Sequence, residues 1–265
     1  LMGRLFFFRM YKNFIKPLWA DVKIFVLDAL FPKHCLSCET EGEFICLDCK
    51  ACLKTLEFQR CIVCQKSALF GQTHPKCLTP QGADGLISFF NYHDEKVAQI
   101  LIKGKYSFLP EVYQILGAII ANKIKKDHPY LLEALPTGQA GSSYKLVPIP
   151  LHSRRRRWRG FNQAEILCLS LSDHLSLPCT NVLVRCKSTA VQKNLKRDDR
   201  VKNIRDAFAL SDNLSAKGGF AFGGQSSNFI LVDDVATTGT TLLEAAKVLK
   251  RNGATKVFCL TVARD

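Results

Sequence analysis

Acidic residues are scarce in this chain: 23 Asp and Glu stand against 37 Lys and Arg, a formal charge of +14 over 265 residues. That shortage argues against cationic partners and for polyanions such as pyrophosphate or nucleic acid. Long uncharged apolar runs are also lacking. Residues 1–31 are apolar, but Arg4, Arg9, Lys12, Lys16 and Lys23 interrupt them, so a membrane-spanning helix is not expected. No convincing signal peptide stands at the start, which disfavours a secreted, disulfide-bonded protein and favours a cytoplasmic one. No Lys follows Gly239 in the glycine–threonine segment near the C-terminus, so that segment is not a Walker A loop. The Gly218–Gly224 stretch precedes a strand rather than following one, so it is not a dinucleotide fingerprint. No internal repeat is visible beyond paired cysteine knuckles.

Those knuckles are the most crowded chemistry present. Eight of twelve cysteines fall between Cys35 and Cys77. In order they read Cys35-x2-Cys38, Cys46-x2-Cys49, Cys61-x2-Cys64 and His74-x2-Cys77. A CxxC turn sets two sulfurs on one side of a tight bend, and two such turns complete a tetrahedral zinc site. Sequential pairing gives a double zinc ribbon: Cys35, Cys38, Cys46 and Cys49 in one site, Cys61, Cys64, His74 and Cys77 in the other. An interleaved pairing stays open, as does the choice between one and two structural zinc ions. Cys52 reads as a spare, and Cys168, Cys179, Cys186 and Cys259 as core residues.

Before the knuckles, residues 1–33 form an N-terminal segment. Leu1 before Met2 suggests a non-ATG start codon or a conceptual reading frame, and residues 1–16 are given no role. The apolar face from Trp19 to Phe31 predicts an amphipathic helix packed on the knuckles or on a partner. Any membrane contact is expected to be peripheral. Residues 34–81 hold the double ribbon, and residues 82–265 form an α/β domain. In it, 85–92 reads as a strand, 95–102 as a helix ending at Lys103-Gly104-Lys105, and 111–126 as a second helix. Residues 127–143 read as a loop. Strands follow at 145–149, 182–186, 206–210, 229–232 and 257–262, with a helix over 162–174. Alternating strands and helices predict a parallel, doubly wound sheet.

Residues 229–242, FILVDDVATTGTTL, carry the sharpest functional signal. The apolar run Phe229–Val232 predicts a buried strand, with Asp233 and Asp234 at its end. A Gly/Thr turn then opens a helix, offering N–H groups and hydroxyls to a phosphate. Carboxylates accept hydrogen bonds from vicinal hydroxyls such as those of a ribose. The segment resembles the phosphoribosyl pyrophosphate (PRPP) motif of type I phosphoribosyltransferases.

The wider chain has a family resemblance. The cysteine knuckles, VPIPLHSRRRRWRGFNQAE (147–165), TAVQKNLKRDDRVKNIRDAF (189–208) and FILVDDVATTGTTLLEAAKVLKRNGATKVFCLTVAR (229–264) occur in that order. Together they resemble the ComF/GntX family of competence-associated, phosphoribosyltransferase-like proteins. The resemblance implies a type I phosphoribosyltransferase-like parallel sheet with helices on both faces, plus a small N-terminal zinc-ribbon module. It also implies a role in DNA uptake during natural transformation or in DNA utilisation. His74 departs from the family, where a fourth CxxC usually stands.

By the same resemblance, Asp233 and Asp234 hold the ribose hydroxyls as catalytic residues. Val235, Ala236, Thr237, Thr238, Gly239, Thr240 and Thr241 wrap the 5′-phosphate. Pro150, Leu151, His152, Arg154 and Arg155 meet the pyrophosphate, and Gln192, Arg200 and Asn203 sit on a candidate flap. Mg²⁺ would accompany PRPP and neutralise the leaving group. Two classes of function remain. One is a phosphoribosyltransferase, a pentosyl glycosyltransferase with an unknown acceptor. The other is a non-catalytic single-stranded-DNA-binding or adaptor protein of the competence machinery that keeps a relic PRPP site.

Charge patterning bears on that choice. Between Lys145 and Arg205, 14 Lys and Arg face 4 Asp and Glu. Trp158 and Phe161 interleave with the arginine run, as stacking on bases requires. The alternative is that both rings merely anchor the segment on the core.

Overall fold

The computed structural model describes residues 32–127, 144–187, 204–211 and 227–265. The amphipathic stretch Trp19–Phe31, the candidate flap residues Gln192, Arg200 and Asn203, and the Gly218–Gly224 segment lie outside the described residues.

Among the described residues, four parallel strands build the main sheet in the order β1-β6-β5-β2. They are β1 (Gly85–Asn91), β2 (Tyr144–Pro148), β5 (Ser227–Ala236) and β6 (Ala254–Arg264). Alternation along β5 explains why both faces must be covered. Phe229 and Leu231 point into one apolar cluster, Ile230 and Val232 into another. Each fully buried side chain of this size contributes about 1.5–3 kcal/mol through removal from water. A strand apolar on both sides is stable only between two layers of helix.

Those layers are present. On one face lie α2 (Glu95–Tyr106), α3 (Pro110–Asp127) and α5 (Gln163–Leu175). On the other, α6 (Thr240–Arg251) buries Leu242, Ala245, Ala246 and Leu249. Local signals set the helix starts. The Asp94 carboxylate accepts from the N–H groups of Lys96 and Val97 at 3.0 and 3.2 Å, an N-cap. Pro110 occupies the first position of α3, where its missing N–H costs nothing. Asn162 caps α5 through Ala164 N and donates to Ile149 O at 3.0 Å. It thus ties the helix start to the end of β2.

Two sequence expectations change, and the arginine run, given no element from the sequence, takes one. The strand read as 229–232 runs from Ser227 to Ala236, so Asp233 and Asp234 lie inside it rather than after it. The reason is one-sided pairing. β2 accompanies β5 only as far as Val232, whereas β6 continues to Ala236. The arginine run is helical, α4 (Ser153–Arg159), with the His152 ring accepting from Arg154 N at 3.3 Å. The short strands β3 (Leu183–Arg185) and β4 (Phe208–Leu210) pair antiparallel in a separate ribbon outside the parallel sheet.

The cysteine module packs against the sheet. Cys35, Ile45 and Cys49 belong to one apolar cluster, and Ile62 to the other. A short helix, α1 (Leu47–Cys52), follows Cys46, whose sulfur accepts from Cys49 N at 3.4 Å. Among the described residues no helix is long and apolar enough to cross a membrane.

Candidate functional site

β5 and β2 are neighbours, yet the helices packed after them cover opposite faces: α6 one, α5 the other. Connections that part in this way leave a crevice at the carboxyl ends of the strands. A cavity of about 570 Å³ occupies that position. Its floor is the chain from Asp233 to Leu242. Lys105 and Tyr106 of α2, Arg155, Trp158 and Arg159 of α4, Gln163 of α5 and Arg185 of β3 supply the walls.

Backbone geometry prepares the floor for an anion. Gly239 takes φ 75°, a left-handed conformation that favours glycine. It caps α6 without any side chain of its own, so the first-turn N–H groups of a twelve-residue helix face the cavity. Thr238 and Thr240 share a hydrogen bond at 2.8 Å across that turn.

The charges are balanced closely. Lys105 Nζ pairs with Asp234 Oδ2 at 2.6 Å, and the side chains are 22% and 11% exposed. Asp233 Oδ1 accepts from Asp234 N at 2.9 Å. One oxygen on each acid remains uncommitted among the described residues. Burial, followed by the neighbouring Asp234 charge, pushes the Asp233 carboxyl up to about 7, against the opposing pull of Asp234 N–H, Lys105 and Arg185. Burial is the largest influence on the Lys105 ammonium and would depress it, but the charge and hydrogen bond of Asp234 together with the Asp233 charge outweigh it, and the net shift is upward. Burial lowers Arg155 and Arg185 as well, with a nearby arginine adding to each.

The predicted residues divide. Asp233, Asp234, Val235, Ala236, Thr237, Thr238, Gly239, Thr240, Thr241, Leu151 and Arg155 all line the cavity. Pro150, His152 and Arg154 do not; His152 spends a ring nitrogen on its helix cap. The helical period accounts for this split. Arg155 and Arg159 stand four apart and share the cavity-facing side, while Arg156 turns away to Glu165 at 3.0 Å. Phe161 packs on Tyr113 with ring centroids 6.1 Å apart, so it anchors the core. Trp158 is 58% exposed and meets Tyr106 and Phe108 edge-on at the cavity rim.

Gln163 and Arg185 are additions, and Lys105, read from the sequence as the end of a helix, lines the cavity too. Lys105 carried a readable signal, because it lies four residues after the buried Leu101. Gln163 is a polar residue four before Leu167, on the buried stripe of α5. Its Nε2 and the Nε of Arg159 are buried donors without a partner among the described residues. Unpartnered buried donors are costly and are commonly satisfied by a ligand or water.

Each cysteine group has the sequential membership: Cys35, Cys38, Cys46 and Cys49, then Cys61, Cys64, His74 and Cys77. Within each group the donor atoms all lie within 4.8 Å of one another. A tetrahedral zinc ion with Zn–S near 2.3 Å sets its sulfurs about 3.8 Å apart, so both groups could hold zinc. His74 fits as a ligand. Its Nδ1 is 3.2 Å from Cys64 Sγ, while Nε2 lies 2.9 Å from Ser67 O. That carbonyl fixes the proton on Nε2 and leaves Nδ1 for a metal. Cys52 lies outside both groups, and Cys186 is exposed rather than core.

No protein-family model matches the chain. Among curated proteins, Competence protein F of Haemophilus influenzae is 27% identical over 82% of this chain and 90% of its own. Competence protein ComFC of Bacillus subtilis is 26% identical over 84% and 85%. DNA utilization protein YhgH of Escherichia coli is 37% identical over 44% and 48%. These relatives are competence and DNA utilization proteins, in keeping with the ComF resemblance of the sequence. The chain matches only about half the length of its YhgH relatives. Among solved structures, the chain overlaps loosely with glutamine PRPP amidotransferase from B. subtilis, at TM-score 0.31, 13% identity, 56% of this chain and 25% of that one. Adenine phosphoribosyltransferase from Leishmania tarentolae overlaps at TM-score 0.31, 12% identity, 64% and 75%.

Proposed function

We propose that the cavity binds PRPP or a closely related phosphorylated ribose with Mg²⁺, and that the chain acts in DNA uptake or DNA utilisation. The observation that carries this reading is the placement of two strand-borne acids beside an uncapped helix start, ringed by Lys105, Arg155, Arg159 and Arg185. Phosphate oxygens meet the first-turn N–H groups of α6, where the helix dipole favours negative charge. The ribose hydroxyls donate to the uncommitted oxygens of Asp233 and Asp234. The arginines fork onto a pyrophosphate. Mg²⁺ accompanying the ligand would supply charge neutralisation for the pyrophosphate leaving group. If turnover occurs, a nucleophile displaces pyrophosphate from C1, aided by charge stabilisation.

The Lys105–Asp234 pair suits this role. It neutralises Asp234 while the cavity is empty, and the ammonium lies within reach of incoming phosphate oxygens. Calorimetry with PRPP and Mg²⁺ tests the assignment. Wild type is expected to bind. The Asp233→Ala plus Asp234→Ala variant is expected to lose binding while retaining its zinc. Equal binding by both proteins would overturn the site.

A second reading has one observation in its favour. Tyr106, Phe108 and Trp158 form an exposed aromatic group beside the arginine helix. Rings among cations form a stacking platform for single-stranded DNA. Under that reading the chain is a DNA-binding or adaptor protein of the competence machinery, and the PRPP site is a relic.

A further inference from the structure

We propose that the second cysteine cluster positions the phosphate loop, so that metal held by Cys61, Cys64, His74 and Cys77 controls the geometry of residues 237–241. This rests on the phosphate reading above only for its functional consequence; the mechanical link stands on contacts.

The first contact is steric. Ile62, inside the Cys61–Cys64 knuckle, is fully buried. A Cβ on Gly239 would lie 2.7 Å from Ile62 Cγ1 and 3.4 Å from Ile62 O. The loop backbone therefore rests directly on the knuckle. The second contact is polar. Arg264, 4% exposed, donates to Arg60 O at 2.6 Å, to Cys61 O at 3.2 Å and to Gln65 Oε1 at 2.6 Å. Gln65 in turn donates to Ile62 O at 2.9 Å. Arg264 pairs with Ala236 in the sheet, and Asp265 N reaches Ala236 O at 3.0 Å. Two routes thus join the knuckle to the segment entering the loop.

A CxxC knuckle holds its shape through its metal. Without the ion, the turn carrying Ile62 loses its fixed position, and the three carbonyl or amide acceptors of Arg264 move with it. Buried guanidinium groups do not tolerate lost partners cheaply. The first cluster sits in the other apolar cluster and touches neither Ile62 nor Arg264 by any of these bonds.

Hydrogen–deuterium exchange on the full chain tests the link without any ligand. Three proteins are compared: wild type, Cys64→Ser plus His74→Ala, and Cys38→Ser as the control for the first cluster. Amides of residues 237–243 are expected to exchange about tenfold faster in the second-cluster variant, with zinc content lower by one equivalent and the strands still protected. The control is expected to leave those amides unchanged. If the second-cluster variant unfolds globally, Arg264→Lys and Ile62→Ala keep all four ligands; they should speed exchange at 237–243 with zinc content unchanged. Loop exchange equal to wild type in the variants that fold would overturn the proposal. Altered loop exchange in a protein that never binds PRPP would refute only the ligand assignment.

Discussion

Replacing Lys105 by methionine removes the cation paired with Asp234 and keeps most of the side-chain volume. The 2.6 Å contact corresponds to ~6 kcal/mol of gross attraction at an effective dielectric of about 20. Breaking one partner of a largely buried pair costs about 3–5 kcal/mol, because the other charge is left uncompensated. Both side chains are less than a quarter exposed, so solvent screening does not erase this. For a chain of this size the melting temperature should fall on the order of 10 °C near pH 8. The pH dependence identifies the cause. Without Lys105 the two carboxyls bind protons more tightly in the folded state than in the unfolded one. A raised folded-state acid destabilises progressively as pH rises above the unfolded value. The deficit relative to wild type should therefore shrink as pH falls toward ~4, where unfolded Asp, with a pKa of about 3.9, is about half protonated and most of the difference in proton binding is gone. Thermal denaturation of both proteins from pH 4 to pH 8 measures it. A small loss, or one that is the same at every pH, would refute the pairing as an energetic feature.

Other outcomes follow from the same contacts. Gly239→Ala should destabilise by about 1–3 kcal/mol, from the left-handed backbone and the meeting with Ile62, and should abolish ligand binding; urea denaturation and calorimetry check both. PRPP affinity should rise as pH passes upward through about 7, the value to which burial and then Asp234 push Asp233, because the ionised acid is the better acceptor; titrations at pH 6 and pH 8 decide this. The same acid's cost to folding stability builds up between its unfolded value and about 7, stays in full above that, and is absent below both. Trp158→Ala should weaken single-stranded DNA binding by about 1–3 kcal/mol if the rim stacks bases, with strong salt dependence; a salt-insensitive or absent gel shift in wild type removes that reading.

The strand–acid–loop segment was legible because its chemistry is contiguous: Phe229 to Leu242 supplies strand, acids, turn and helix start without help from elsewhere. The knuckle order was legible for the same reason. The length of β5 was not, since Asp233 to Ala236 are held in the sheet by β6 across a ladder that no local pattern encodes. The arginine helix escaped notice because α4 buries nothing, so no apolar period marks it. Lys105 and Gln163 each occupied an apolar helical stripe, a signal available in the spacing but easily read as a helix end. Arg185 had no such signal: among the described residues its three-residue strand pairs only with β4, and its place on the cavity wall is set by tertiary packing.

A crystal structure with PRPP and Mg²⁺ bound tests the central claim most directly. The account predicts density in the crevice between β5 and β2, with the 5′-phosphate on the N–H groups of residues 237–241 and the ribose hydroxyls against Asp233 and Asp234. Ligand density on the outer face of the arginine helix, with the crevice empty and Lys105 still on Asp234, would contradict it.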